Sequence, residues 1–286
     1  MADGGLEWHP MRQRLLFGTG GVPLSAKSPT TESGIERIAE LGLGCMEVQF
    51  VRGVKMSELM AQRAADIARS KGVKLSAHAP YFINLNTDDT ERAAASKHRL
   101  IQTARISSVL GAQTVVFHAA YYLSDPPSMV YSAVKHALEE TRTLLAAEGN
   151  HTLLRPETTG KRSQFGTVEE ILSLSAEIEG IAPCIDFAHL HARTGKLNSY
   201  EEFAAVLEQV EERLGRQALD HMHIHVAGVQ YGQYGEIRHL NLKESDLDYV
   251  GLLRALKEVN AGGRIICESR NLESDALLLQ TTYNGL

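Results

Sequence analysis

Six side chains able to ligate a cation stand at equivalent places along this chain. His78, His118, Glu157, Asp186, His223 and Glu268 each fall at or near the C-terminal end of a short β-forming run. Neutral imidazole and carboxylate are the donors expected for zinc or a similar divalent ion. Each residue alone has a plainer explanation. A strand histidine is more often a hydrogen-bonded core residue, Glu268 could pair with Arg264 or Arg270, and Asp186 could cap a following turn. Their shared position at strand ends changes the balance, because independent structural residues have no reason to coincide there. Brought together, they would repel or go unpaired without cations. The expectation is a metal cluster. His221, His223 and His225 alternate and would share one face of a strand. They cannot all ligate one ion: His223 and His225 compete for the role, and His221 lies deeper.

The elements that must position these residues alternate regularly. Strand-like runs occur at 15–18, 45–50, 74–78, 114–118, 152–157, 183–187, 221–225 and 264–268. Helical patterns fall near 31–42, 55–71, 89–111, 127–148, 167–178, 198–215, 246–260 and 271–282. The helix near 167 opens on Thr167-Val168-Glu169-Glu170, a capping-box signal. Asp186, His189 and His191 fall in a short link before the helix near 198. Eight strand–helix pairs with no linker predict a single (β/α)8 TIM barrel over residues 1–286, with 1–13 as a short N-terminal extension. Active sites of that fold are built at the C-terminal strand ends. An open doubly wound sheet is the structural alternative, but no GxGxxG or P-loop supports it.

Composition bounds the reading. At 286 residues and 43% hydrophobic, the chain can bury a full barrel core. A net charge of -6 argues against binding nucleic acid by bulk electrostatics. Three scattered cysteines, Cys45, Cys184 and Cys267, form neither a disulfide framework nor a CxxC site. With no signal-peptide pattern at the N-terminus and no apolar run of membrane length, a cytoplasmic protein without membrane association is expected.

At its candidate ligands the sequence resembles the endonuclease IV family of apurinic/apyrimidinic endonucleases, within the wider xylose-isomerase-like barrels. The most specific segment is His78-Ala79-Pro80-Tyr81-Phe82-Ile83-Asn84-Leu85, similar to that family's His-x-x-Tyr-x-Ile-Asn-Leu. Phe117-His118, Glu157-Thr158-Thr159, Asp186-Phe187-Ala188-His189, Met222-His223 and Cys267-Glu268 resemble its other ligand segments. The resemblance implies two to three Zn2+ per chain, with Mn2+ possible at one site. His78, His118 and Glu157 would hold the first ion. Glu157 would bridge to a second, held also by Asp186, His223 and Glu268; it is this resemblance that favours His223 over His225. His189 and His239 would hold a third. There the sequence departs from the family's Asp-x-His, since Ile237 stands two residues before His239, and Glu236 becomes the candidate.

The function implied is repair of double-stranded DNA: hydrolysis of the phosphodiester 5′ to an abasic site by a zinc-activated hydroxide, leaving a 3′-hydroxyl, with the protein a monomer. Glu157 and Glu268 would be the catalytic carboxylates. Tyr81 and Phe82 correspond to family residues that enter the duplex, as wedging aromatics do when they bend DNA; the plainer alternative is that they pack beneath the loop. Asn84 would brace that loop, and Arg52 and Lys55 are candidate DNA contacts. Lys161, Arg162 and Gln164, and more weakly His191 and Arg193, could also touch the DNA backbone. The alternative is a divalent-metal sugar isomerase or epimerase of the same superfamily. Its sites are typically richer in carboxylates than the five candidate histidines here, which favour zinc. A third reading, a metal-loaded scaffold without turnover, has no positive support in the sequence.

Overall fold

The computed structural model describes residues 14–286, so the expected extension over 1–13 lies outside the described residues. Eight parallel strands form the central sheet: β1 (Leu15–Gly20), β2 (Cys45–Gln49), β3 (Lys74–His78), β4 (Thr114–Phe117), β5 (Leu153–Pro156), β6 (Ile185–Asp186), β7 (Met222–Val226) and β10 (Gly263–Cys267). The intervening β8 (Gly228–Gly232) and β9 (Gly235–Leu240) make a separate antiparallel hairpin. The eight strands pair in the order β5-β4-β3-β2-β1-β10-β7-β6. The remaining gap is bridged by a few hydrogen bonds. Cys184 N–H donates to the Pro156 carbonyl and Thr158 N–H to that of Cys184, each at 3.1 Å. These bridges join β5 to the segment entering β6 and close the TIM barrel.

Helices cover the outside: α1 (Thr31–Glu40), α2 (Glu58–Lys71), α3 (Thr90–Leu110), α4 (Pro127–Ala147), α5 (Val168–Glu177), α6 (Phe187–Thr194), α7 (Tyr200–Leu214), α8 (Arg216–Asp220), α9 (Tyr249–Glu258) and α10 (Glu273–Gly285). Local chemistry sets their ends. Ser57, Asp89 and Ser199 accept first-turn N–H groups, and Thr167 with Glu170 forms the expected capping box. Side chains such as Leu138, Phe187, Phe203 and Leu253 fill the layer between strands and helices, fully buried. No helix among the described residues is long and apolar enough to cross a membrane.

Two elements that bear on the site differ from expectation. The link after β6 is the helix α6, capped by Asp186 at its start and by left-handed Gly195 at its end. The β8–β9 hairpin lies in a stretch where no strand was expected.

Candidate metal centre

Side chains alternate along each strand, so β5, β7 and β10 point every second residue into the barrel. Near the C-terminal ends these inward residues form three linked groupings. In each, the ligand atoms lie within 4.8 Å of one another: His78, His118 and Glu157; Glu157, Asp186, His225 and Glu268; and His189, Glu236 and His239. Glu157 joins the first two. Its Oε2 lies 3.2 Å from His78 Nε2 and 3.1 Å from His118 Nε2, while Oε1 faces His189 Nδ1 at 3.1 Å and His225 Nδ1 at 3.3 Å. That carboxylate is buried and turns one oxygen to each side.

Backbone contacts orient several rings. Nδ1 of His78 lies 2.8 Å from the Ala79 carbonyl, that of His189 3.0 Å from the Thr158 carbonyl, and that of His239 3.0 Å from the Glu268 carbonyl. Since a carbonyl only accepts, each Nδ1 carries the proton and each Nε2 keeps a lone pair for the site. Asp186 divides its oxygens similarly. Oδ1 accepts the His189 N–H at 2.7 Å as the cap of α6, leaving Oδ2 buried without a hydrogen bond. Glu157 Oε1 and both ring nitrogens of His225 are likewise buried, with neighbours close but outside hydrogen-bonding angles. Buried polar atoms left in this way are rare in folded proteins. Imidazole and carboxylate atoms that converge without satisfying one another fit divalent cations.

Among the side chains themselves, charge is unevenly settled. Burial pushes the Asp186 carboxyl up. It would do the same to Glu157, but the imidazoles of His118 and His225 outweigh it and hold that carboxyl well below its usual range.

On β7 the two candidate histidines are separated by one alternation. His225, not His223, meets Glu157, Asp186 and Glu268. His223 sits one layer deeper with both nitrogens occupied, Nε2 2.9 Å from Glu47 Oε2 and Nδ1 3.3 Å from Thr114 Oγ1. Burial drives its pKa down to about 3. Glu47, at the middle of β2, was not singled out in the sequence. It is buried, accepts from Ser76 Oγ at 2.9 Å, and places Oε1 3.1 Å from His225 Nε2. Nε2 of His225 thus faces the Glu47 carboxylate, which leaves Nδ1 toward Glu157 and Glu268. Only the run Glu47-Val48-Gln49, polar at alternate positions of a buried strand, could have signalled it. The ligand atoms of Cys184, His223 and His225 also lie within 4.8 Å. With His223 committed to Glu47 and burial raising the Cys184 thiol, that set is poorly prepared for an ion.

The third grouping depends on a bulge. Gln230 pairs with Arg238 but Tyr231 with Glu236, so Ile237 is the extra residue and projects outward, exposed. In a regular strand, residues three apart face opposite sides. One inserted residue restores a common face, so Glu236 and His239 both turn toward His189, at 3.5 Å from Nε2 in the case of Glu236 Oε2. Glu-x-x-His thereby presents both side chains to one face. Two glycines permit the approach: a Cβ on Gly160 would lie 2.7 Å from Glu236 Cβ, and one on Gly235 would lie 2.1 Å from the Gly160 carbonyl oxygen.

The groupings open into a cavity of about 280 Å³ lined by His78, Tyr81, His118, His189, Glu236, His239 and Glu268. Tyr81 and Phe82 are 51% and 64% exposed, so they do not pack beneath the loop as core. Tyr121, Leu123 and Tyr234 on neighbouring loops, and Ile237 on β9, are further exposed apolar side chains. Asn84 Oδ1 accepts from the Asn86 and Tyr121 backbones, tying the loop after β3 to that after β4. Arg52, Lys55, Lys161 and Arg162 are exposed. Three other candidates for DNA contact are otherwise engaged. Gln164 is buried; His191 is buried against Tyr231, with Nε2 3.1 Å from Asp246; Arg193 clips the loop after β5 through Thr159.

A parallel barrel with ligating side chains gathered at its C-terminal rim defines a class, and the comparisons agree with it. The sequence pattern of the xylose isomerase-like TIM barrel family matches residues 35–281, and the chain belongs to that family. It is 43% identical to an uncharacterized protein of Methanocaldococcus jannaschii, over 95% of this chain and 98% of that one. It is 26% identical to a probable endonuclease 4 of Mycobacterium leprae, over 72% and 76% of the two chains. Among solved structures, a D-tagatose 3-epimerase-like protein superposes with a TM-score of 0.74, covering 95% of this chain and 96% of its own. Endonuclease IV from Thermus thermophilus superposes with 0.72, covering 94% and 100%. Both are 18% identical, a likeness of fold.

Proposed function

We propose that the protein is a metal-dependent phosphodiesterase that incises double-stranded DNA on the 5′ side of abasic sites and leaves a 3′-hydroxyl. The observation that carries this reading is the set of three linked groupings around one open cavity, rimmed by exposed aromatic side chains. His78, His118 and Glu157 would hold one zinc ion; Glu157, Asp186, His225 and Glu268 a second; His189, Glu236 and His239 a third. Bound there, such ions lower the pKa of water and stabilise charge on a phosphoryl group.

The chain's own residues do the rest. Glu157 spans two groupings and fixes their separation. Glu268 lies at the cavity wall with Oε1 3.3 Å from the Gln49 amide, positioned to orient a water and take up its proton. The two exposed aromatics enter a duplex weakened by a missing base, and the exposed Arg52, Lys55, Lys161 and Arg162 meet its phosphates.

A second reading has its own support. Glu157, Asp186, His225 and Glu268, three carboxylates and one histidine, resemble the ligand set of a sugar isomerase or epimerase. One experiment separates the two. The purified protein is analysed for metal, then incubated with a labelled duplex carrying a single tetrahydrofuran abasic analogue, and the cut is mapped. Two to three zinc ions per chain and incision 5′ to the analogue, abolished in Glu157→Gln, are expected. A single manganese with no incision, together with epimerisation of a ketose, would transfer the assignment to the sugar enzymes.

A further inference from the structure

The opposite end of the barrel holds a second cavity, of about 490 Å³, beneath the N-terminal ends of β4, β5, β7 and β10. Its lining is positive. Arg155 and Arg264 contribute to the wall together with His221, Gln113, Thr114 and Gln217, and no carboxylate of the described residues lines it. Arg155 is only 4% exposed. Its two terminal nitrogens donate to the carbonyls of Pro183 and His221, at 2.6 and 3.0 Å, while its Nε has no hydrogen-bond partner. Arg264 donates to the Leu75 carbonyl at 2.9 Å. Those carbonyls satisfy individual N–H groups but leave two neighbouring positive charges without a counter-ion among the described residues. Burial, then the charge of Arg264, lowers the Arg155 pKa to about 10, so the Arg155 guanidinium remains charged at neutral pH. Unpaired buried charge is costly, and a cavity lined by charge of one sign concentrates ions of the other.

We propose that this cavity binds a small oxyanion, a phosphate or carboxylate group on a compact body, held by Arg155 and Arg264. A guanidinium presents paired donors that match either group in a fork geometry. The cavity is within the size range that accepts small organic ligands. The inference is independent of the chemistry at the metal centre, from which the layer of His223 and Glu47 separates it.

The test is calorimetric titration of the full-length, metal-loaded protein with inorganic phosphate, ribose 5-phosphate and malonate at constant ionic strength balanced with chloride. Saturable binding is expected. It should weaken about tenfold or more in Arg264→Gln and in Gln217→Glu, the loss expected for a charged hydrogen bond or an opposing charge. Gln217 is exposed, so that variant tests the site even if Arg264→Gln folds poorly. Phosphate could also bind at the metal centre, so Glu157→Gln is titrated alongside and should retain the binding. Preference for the two phosphates over malonate identifies a phosphorylated ligand; the reverse identifies a carboxylate. Absence of saturable binding overturns the proposal, as does binding lost in Glu157→Gln yet kept in Gln217→Glu and Arg264→Gln.

Discussion

Glu157 gathers four imidazoles around two oxygens, each within 3.3 Å, and no other side chain among the described residues joins two of the groupings in the same way. Behind them, Glu47 meets His225 on one oxygen and His223 on the other. This division separates the two histidines experimentally. His225→Ala should lower the number of bound zinc ions, whereas His223→Ala should keep that number while reducing resistance to urea. Metal analysis beside denaturation reads both, and equal metal loss in the two variants would refute the assignment. Glu47→Gln should weaken zinc binding about 10–100-fold, the usual consequence of removing a partner behind a ligand, as measured by competition with a chelator. At the rim, Phe82→Ala should weaken binding to abasic duplex by roughly 1–3 kcal/mol, the scale of one base–aromatic contact, with metal content unchanged. Equal affinity by fluorescence anisotropy would remove Phe82 from the interface.

At the scale of elements, the β8–β9 hairpin and α6 complete the third grouping. The hairpin faces the site with Glu236 and His239 only because Ile237 is bulged out. Deleting Ile237 should restore a regular pairing in which Glu236 stands two residues before His239 and so keeps the same face. An unchanged zinc count per chain is expected, with the far-ultraviolet dichroism retained; loss of one ion would mean that the bulge itself, and not the shared face, sets the ligand. A different carboxylate secures the loop after β1. Glu273, at the start of α10, accepts the Leu24 and Ser25 N–H groups at 2.9 and 2.8 Å. Burial alone would raise its pKa, but these backbone donors outweigh it and the folded value lies below the ordinary one. Its charge therefore stabilises the fold above the unfolded pKa of roughly 4.3 and loses that effect as pH falls through the lower folded value. Urea melts of the protein and Glu273→Gln should differ near neutral pH and converge in acid. A gap that persists below roughly pH 3 would contradict the charge-based account.

For the whole molecule, the barrel carries opposite chemistry at its two ends: side chains able to hold cations at the C-terminal rim and, at the N-terminal one, two guanidiniums that face no carboxylate among the described residues. Between strands and helices the core is apolar. Phe203 of α7, fully buried and edge-on to Phe187 at 5.6 Å between ring centroids, is a fair probe of that layer. Phe203→Ala should cost about 3–5 kcal/mol of stability in urea unfolding with no change in metal content. A cost near zero would mean that the helical layer repacks freely.

The sequence by itself determined the alternation of strands and helices, because apolar periodicity and capping residues are local signals. It also placed His78, His118, Glu157, Asp186 and Glu268 at strand ends, where parallel closure brings them together. It left His223 and His225 unresolved, since both share the inward face and only the depth reached by Glu47 from β2 decides which meets the cluster. It gave no sign of the β8–β9 pairing, because a bulge is fixed by hydrogen bonds between two strands rather than by either alone. Arg155 and Arg264, more than a hundred positions apart, were ordinary strand residues until the ring closed and left them facing one cavity. Contacts across the barrel depend on register and depth, and those exist only once the whole sheet has formed.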